Sequence, residues 1–87
     1  MRYLILCRSL TYAQKAFAAL ERRGIRAGLI RAPQHLRGRG CGYALSLSRR
    51  FPEAVGILRE QHLLTGRLYQ REDNGEYREV LEHDLLG

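Results

Sequence analysis

The chain has 87 residues, an apolar content of 45% and a net charge of +6. This length accommodates one folded domain and not two, and the apolar content excludes a disordered chain. No apolar run reaches the roughly 20 residues of a membrane-spanning helix, and the first apolar segment is too short and too early for a signal peptide. Because its cysteines, Cys7 and Cys41, do not form a secreted disulfide framework, we expect a cytoplasmic protein.

The charge is unevenly distributed along the chain. Residues 1–50 carry eleven Arg or Lys against one Glu, whereas residues 51–87 carry four Arg against eight Asp or Glu. A uniformly basic footprint is typical of nucleic-acid-binding proteins. A basic half beside an acidic half favours instead an anionic ligand, an anionic partner or self-association.

The hydrophobic pattern of the first third predicts a strand, a helix and a second strand. Tyr3–Cys7 is a continuous apolar run, which is typical of a strand buried on both faces. We expect Thr11 to cap a helix that continues to about Arg23. Gly24 then predicts a left-handed helix end, and Ile25–Ala32 predicts the second strand.

The rest of the chain predicts further elements joined by short turns. They are a loop over Gln34–Gly40, a strand over Gly42–Ser48, a helix that begins at Pro52, a strand over Leu63–Arg71, a turn at Asp73–Gly75 and a last strand over Glu76–Leu81. Pro52 is suited to the first turn of its helix, and the Asn-Gly turn is typical of a hairpin.

This order of elements predicts an α/β fold, the ferredoxin-like βαββαβ sandwich, with an additional carboxy-terminal hairpin arm. We interpret the chain as a single domain, with a core over residues 1–70 and an acidic hairpin and tail over residues 71–87. In such a sheet the third strand lies beside the first and antiparallel to it. Cys7 and Arg8 are therefore expected near Cys41 and Gly42, at the edge where the first helix begins.

Cys41 is the residue that we favour for chemistry. It follows Arg37, Arg39 and Gly40 in a basic, glycine-rich loop and precedes Gly42. Arginine side chains and a helix amino terminus stabilise a thiolate, and they lower the pKa of a thiol from its usual value of about 8.5. The flanking glycines leave the sulfur unshielded and let a partner's backbone approach closely. This setting favours a nucleophilic thiol.

Cys7 has two interpretations. A cysteine inside an apolar strand is commonly a small buried hydrophobe. The expected topology also makes it a candidate resolving partner for Cys41, which requires Cα atoms within about 7 Å of each other.

Metal binding and RNA binding are less favoured. His35, His62 and His83 have no spacing typical of a metal site, so we expect no metal. Arg39–Ala44 is similar to the third-strand signature of RNA-recognition motifs, for which Tyr3 would be a second stacking platform. However, Cys41 and Ser46 stand where aromatic rings would stack on bases, and each such stack contributes about 1–3 kcal/mol.

An apolar strand, a proline and a Cys-Gly pair follow one another in the middle of the chain. The residues are Leu29-Ile30-Arg31-Ala32-Pro33, then Leu36, then Cys41-Gly42-Tyr43-Ala44-Leu45. This segment resembles the selenium/sulfur carrier-like family. The first strand leading into Arg8-Ser9 and the Phe51-Pro52-Glu53 helix start are also similar, so the resemblance covers roughly residues 1–70. Arg37–Gly40 departs from the family, in which serines are usual.

The resemblance implies that Cys41 accepts a sulfur or selenium atom, as a persulfide or selenopersulfide, and passes it on without another cofactor. Arg37 and Arg39 would favour the anionic thiolate, with Arg8 and Ser9 assisting from the start of the first helix. A cysteine desulfurase, or another sulfur- or selenium-transfer protein, is the implied donor. Carriage needs only exchange at sulfur, so we interpret the protein as a carrier rather than an enzyme. The alternative is a non-catalytic binding module in which the cysteine is incidental.

Self-association is a separate expectation. The first strand is apolar on both faces, whereas the predicted helices cover only one face of the sheet. The trailing hairpin, or a second subunit in a homodimer, is expected to cover the other face.

Overall fold

The protein is described by a computed structural model over residues 2–37 and 42–86. Its helices and strands alternate along the chain. In order they are β1 (Tyr3–Leu6), α1 (Leu10–Arg22), β2 (Gly28–Arg31), α2 (Gln34–Arg37), β3 (Tyr43–Leu47), α3 (Phe51–Glu60), β4 (Leu68–Arg71), β5 (Tyr77–Val80) and α4 (Glu82–Leu86). None of the described helices combines the length and the apolar character that a membrane span requires.

The strands form one sheet in the order β2-β3-β1-β4-β5, and every neighbouring pair is antiparallel. The first four strands have the ferredoxin-like arrangement, which confirms the predicted fold class. The hairpin that follows β4 does not fold over the second face of the sheet. It extends the sheet at its edge, where Gln70 pairs with Arg78.

Helices α1 and α3 cover one face of the sheet and form the main core. Ile5 and Leu45 of the central strands pack there with Leu20 of α1 and Leu58 of α3, and all four side chains are fully buried. Burial of large apolar side chains of this kind is the main favourable contribution to folding.

The opposite face carries a smaller apolar cluster, because side chains alternate along a strand. Leu4 and Leu6 of β1 pack there with Ala44 and Tyr69, and Leu36 of α2 contacts the same cluster. The chain itself therefore buries both faces of β1. A second subunit on this face stays a prediction.

The start of α1 differs from the expectation. Ser9, not Thr11, is the N-cap: its Oγ accepts a hydrogen bond from the backbone N–H of Tyr12 at 3.2 Å. Both residue types cap helices well, so the short connection after β1 decides between them. The other end is as predicted, because Gly24 has a left-handed φ of +74°.

Other elements also differ from the expectation. Residues 34–37, expected in a loop, form the short helix α2. The second strand is limited to Gly28–Arg31, and the fourth begins at Leu68 instead of Leu63. Leu63 cannot begin a strand because its N–H bonds back to the carbonyl of Leu58 and ends α3. Local propensity does not reveal such tertiary and capping contacts.

Candidate functional site

Cys41, the predicted nucleophile, lies outside the described residues, as do Arg39 and Gly40. The residues on either side of this segment, Arg37 and Gly42, are described. They determine where the cysteine-containing segment leaves α2 and where it joins β3.

Arg37 and Gly42 are both hydrogen-bonded to the backbone of Ala32. Arg37 Nε donates a hydrogen bond to the Ala32 carbonyl at 2.9 Å, and the Ala32 N–H donates to the Gly42 carbonyl at 2.6 Å. Ala32 is buried, so these bonds are partly shielded from water. The ends of the cysteine-containing segment are thereby held side by side.

Gly42 allows the Arg37 side chain to approach the backbone closely. A Cβ added at Gly42 would lie 3.1 Å from Arg37 Nε and 3.2 Å from Arg37 Cζ. The described glycines with positive φ are Gly24 and Gly75, so Gly42 is needed for space and not for a left-handed backbone. As a result, a guanidinium group lies against the residue that follows Cys41.

The end of β1 lies beside the start of β3, as the topology predicted. Leu6 pairs with Ala44, and the Cys7 N–H donates to the Tyr43 carbonyl at 3.1 Å. Cys7 itself is only 3% exposed and belongs to the main core. Its Sγ donates to the Ile5 carbonyl at 3.7 Å. This burial fits the structural interpretation of Cys7, while its pairing with Cys41 stays a prediction.

Arg8 and Ser9 lie at the same edge, in the connection from β1 to α1. The Arg8 backbone N–H donates to Thr65 Oγ1 at 3.0 Å, and its guanidinium carbon lies 5.0 Å from the centre of the Tyr12 ring. This cation–π contact directs the Arg8 charge along the first turn of α1. The Ser9 hydroxyl caps the helix. The structure therefore brings these residues to the predicted edge and gives each a local structural contact there.

Gly66, which the sequence analysis did not single out as a site residue, supports this edge from the β4 side. A Cβ added at Gly66 would lie 2.7 Å from the carbonyl carbon of Leu6, far closer than real contacts allow. The Leu6 N–H donates to the Arg67 carbonyl at 2.9 Å, so the two backbones are in direct contact here. In the sequence, a glycine inside the predicted strand over Leu63–Arg71 could have indicated this close approach of two backbones.

The position of Tyr3 does not support the less favoured RNA-binding alternative. The Tyr3 ring stacks on Phe51, with centroids 4.2 Å apart and planes inclined by 12°, and it is partly buried against the main core. Ser46 is 5% exposed and accepts a hydrogen bond from Arg2. Neither residue presents a surface on which a base can stack. Within residues 2–37 and 42–86, no group of three or more His, Cys, Asp or Glu side chains is arranged to hold a metal ion.

The comparisons with known proteins identify a family. Residues 2–70 match the family described as "Putative Se/S carrier protein-like". No curated protein and no solved structure matches the chain significantly. The family match extends from β1 into β4 and includes every predicted site residue, whereas β5 and α4 follow it. Since the match covers most of the 87 residues, the chain belongs to the selenium/sulfur carrier-like family.

Proposed function

We propose that this protein carries sulfur or selenium on Cys41, as a persulfide or selenopersulfide, and transfers it to an acceptor. Membership of the selenium/sulfur carrier-like family over residues 2–70 is the observation that carries the proposal. Cys41 and Gly42 lie within this match, and a cysteine thiolate is the side chain best suited to exchange at sulfur.

The transfer is a displacement that needs no external oxidant or reductant. The Cys41 thiolate attacks the terminal sulfur of a donor persulfide, such as that of a cysteine desulfurase. The sulfur–sulfur bond of the donor breaks, a new one forms on Cys41, and the donor cysteine leaves as a thiolate with the bonding electron pair. Attack by an acceptor thiolate on the terminal sulfur of Cys41 then releases the cargo in the same way. A selenium atom is passed by the equivalent displacement.

The flanking geometry supports a thiolate at this position. Arg37 is held by its bond to Ala32 and packs on Gly42, so its positive charge is fixed beside the residue that follows Cys41. A fixed cation near a thiol favours the charged form of the thiol over the neutral form. Arg39, inside the segment, is proposed to add to this effect.

The burial of Cys7 supports a relay that uses one thiol. A side chain that is 3% exposed and packed beneath the helices is not accessible to a protein donor. Cys7→Ala is therefore a matched control for Cys41→Ser, because each variant removes one sulfur and leaves the other.

The test is a measurement of sulfur transfer by intact mass. The protein is incubated with a cysteine desulfurase and free cysteine, and an adduct of one sulfur atom is expected on wild type and on Cys7→Ala but not on Cys41→Ser. The alkylation rate of Cys41 as a function of pH is expected to give a pKa below the usual value of about 8.5. A pKa at or above that value, together with the absence of an adduct, would overturn the proposal and favour a non-catalytic binding module.

A further inference from the structure

A basic cleft opens at one end of the sheet, at the opposite end of β3 from Gly42. It has a volume of about 600 Å³ and lies between the start of β1, the start of β2, the end of β3 and the connection from β3 to α3. Its polar lining consists of Arg2, Arg26, Arg49, Arg50, Ser46 and Ser48. These side chains come from separate parts of the chain and meet only because of the fold.

The cleft is remote from Gly42, which directly precedes β3. Gly28 and Leu4 both pair with Ser46, so the strands that border the cleft meet near the end of β3. Gly42 precedes the other end of the same strand. At about 3.3 Å per residue, the distance from Gly42 to Ser48 along the strand is roughly 20 Å. A ligand in this cleft is therefore far from Gly42, the described residue that follows Cys41.

The charge of three arginines in the cleft is not balanced by carboxylates. Arg50 is paired with Glu53, at 2.6 Å between Nη2 and Oε2, and also donates to the Gly24 carbonyl. By contrast, the salt bridges of the described residues do not include Arg2, Arg26 or Arg49. No Asp or Glu belongs to the described lining. Like charges gathered in a concave surface repel each other, and a bound anion relieves this repulsion.

A buried hydroxyl helps to organise the cleft. Ser46 is the polar side chain that the described core contains, at 5% exposure, and its Oγ accepts a hydrogen bond from Arg2 Nη1 at 2.6 Å. Because that oxygen accepts, the hydroxyl hydrogen of Ser46 can donate to an oxygen of a ligand. The bond also fixes the Arg2 guanidinium at the rim before any ligand arrives, which lowers the entropic cost of binding.

We propose that this cleft binds a small phosphate-bearing molecule through its phosphoryl oxygens. Guanidinium groups match the geometry of phosphate and bind it with charge-assisted hydrogen bonds. The volume lies within the range of about 300–1,000 Å³ that is typical of small-molecule sites. A nucleic-acid strand is less suited, because the described lining contains no aromatic side chain on which a base can stack.

Two variants separate a shaped site from a merely basic surface. Arg26→Gln combined with Arg49→Gln removes two exposed charges. Gly28→Val keeps every charge but adds bulk beside Ser46. A Cβ at Gly28 would lie 3.9 Å from Ile30 Cγ2, which is an ordinary van der Waals contact. Lys15→Gln combined with Arg67→Gln lowers the net charge as much as the first variant and affects no residue of the cleft lining.

The experiment is a titration of the full chain with inorganic pyrophosphate, followed by calorimetry and by backbone amide shifts. We expect saturable one-site binding, with shifts at Gly28, Ser46 and Ser48. Each cleft variant is expected to weaken binding by about tenfold or more, because the double arginine substitution removes charge-assisted contacts and Gly28→Val fills part of the cleft. The Lys15/Arg67 control and Cys41→Ser are expected to bind as wild type does.

Three results would overturn the proposal. They are the absence of saturation, an equal loss of affinity in the Lys15/Arg67 control, and unchanged binding by Gly28→Val. Tighter binding of a single-stranded RNA oligonucleotide, increasing with its length, would indicate a nucleic-acid surface and would also count against it. Since Cys41 is not needed for pyrophosphate binding, this test and the sulfur-transfer test succeed or fail independently.

Discussion

The side chain of Arg37 occupies the space that a Cβ on Gly42 would require, at 3.1 Å from Nε. These residues flank the segment that contains Cys41, and both are bonded to Ala32. A glycine at position 42 is therefore tied to an arginine at position 37 by packing. This relationship connects the Cys-Gly pair of the family to a fixed positive charge.

Gly42→Ala is expected to destabilise the protein by about 1 kcal/mol, because the added methyl group displaces a packed side chain. The displacement also strains the bond from Arg37 to Ala32. In an Arg37→Ala background the same substitution is expected to cost little, since the crowded atoms are gone. Urea unfolding of the four proteins gives the coupling energy directly. Additive costs would show that Arg37 and Gly42 do not interact.

Arg37→Gln is expected to raise the pKa of the Cys41 thiol, because it removes the fixed guanidinium group that packs on Gly42. The rate of alkylation against pH measures this shift in a Cys7→Ala background. Arg31→Gln is the matched control: it also removes one arginine near the start of β3, but the Arg31 guanidinium lies over the Tyr43 ring at 5.2 Å. An equal shift in both variants would point to net charge and not to the position of Arg37.

The topology could be predicted from the sequence, and with it the edge on which the candidate site lies. The βαββαβ order alone implies that Cys7 approaches the start of β3, and the bond to Tyr43 confirms it. Tyr3 could not be oriented in the same way. A continuous apolar run has no alternation, so the sequence does not show which face the ring occupies, and in the structure the ring contacts Phe51.

Neither the short helix α2 nor the convergence of arginines in one cleft could be predicted from the sequence. Four residues are too few to show helical periodicity, and α2 is supported by the packing of Leu36 and the bond from Arg37 to Ala32. The basic half of the chain is visible in the sequence. That Arg2, Arg26 and Arg49 share one cleft depends on the pairing of β1, β2 and β3, which composition does not specify.

Gly66→Ala is expected to destabilise the protein by about 1–3 kcal/mol, the usual range for overpacking. The new methyl group would lie 2.7 Å from the Leu6 carbonyl carbon, and a backbone atom cannot move aside as a side chain can. Thermal unfolding measures the loss. Gly28→Ala is the control, because its Cβ would have no heavy atom nearer than 3.9 Å. Similar melting temperatures for the two variants would contradict the close contact between β1 and the residues before β4.

The Arg50–Glu53 pair is expected to make stability depend on pH. The side-chain hydrogen bond from Arg50 lowers the pKa of Glu53 below its ordinary value of 4.5. A carboxylate with a lowered pKa in the folded state stabilises the protein above the unfolded-state value, and this contribution is lost as the pH falls through the folded-state value. Wild type should therefore exceed Glu53→Gln in stability near neutral pH, and the difference should shrink below 4.5.

Salt and a second glutamate provide the controls for this effect. The pair is exposed to solvent, so the difference is expected to be small and to decrease at high ionic strength. Glu60→Gln removes another exposed carboxylate of α3, one that forms no salt bridge within the described residues. If the two variants show the same pH dependence, the effect belongs to net charge rather than to the pair.

The ends of α1 and α3 have the same hydrogen-bond pattern but different residues at the left-handed position. After α1, the Gly24 N–H donates to the Glu21 carbonyl and the Ile25 N–H to the Leu20 carbonyl. After α3, the His62 N–H donates to the Arg59 carbonyl and the Leu63 N–H to the Leu58 carbonyl. This is the Schellman motif, in which the residue after the cap takes a positive φ and is usually glycine. The φ angle is +74° at Gly24 and +59° at His62.

His62→Gly is therefore expected to stabilise the protein by up to about 1 kcal/mol, since an L-residue in this conformation is strained. Gly24→Ala is expected to destabilise it by about the same amount, and no heavy atom lies within 4 Å of the added Cβ to complicate the comparison. Urea midpoints at constant m-value measure both changes. His62→Ala distinguishes the effect of relieving backbone strain from the effect of losing the imidazole, because alanine also is strained in the left-handed conformation. A gain from alanine as large as that from glycine would show that the ring, and not the backbone conformation, is unfavourable at position 62.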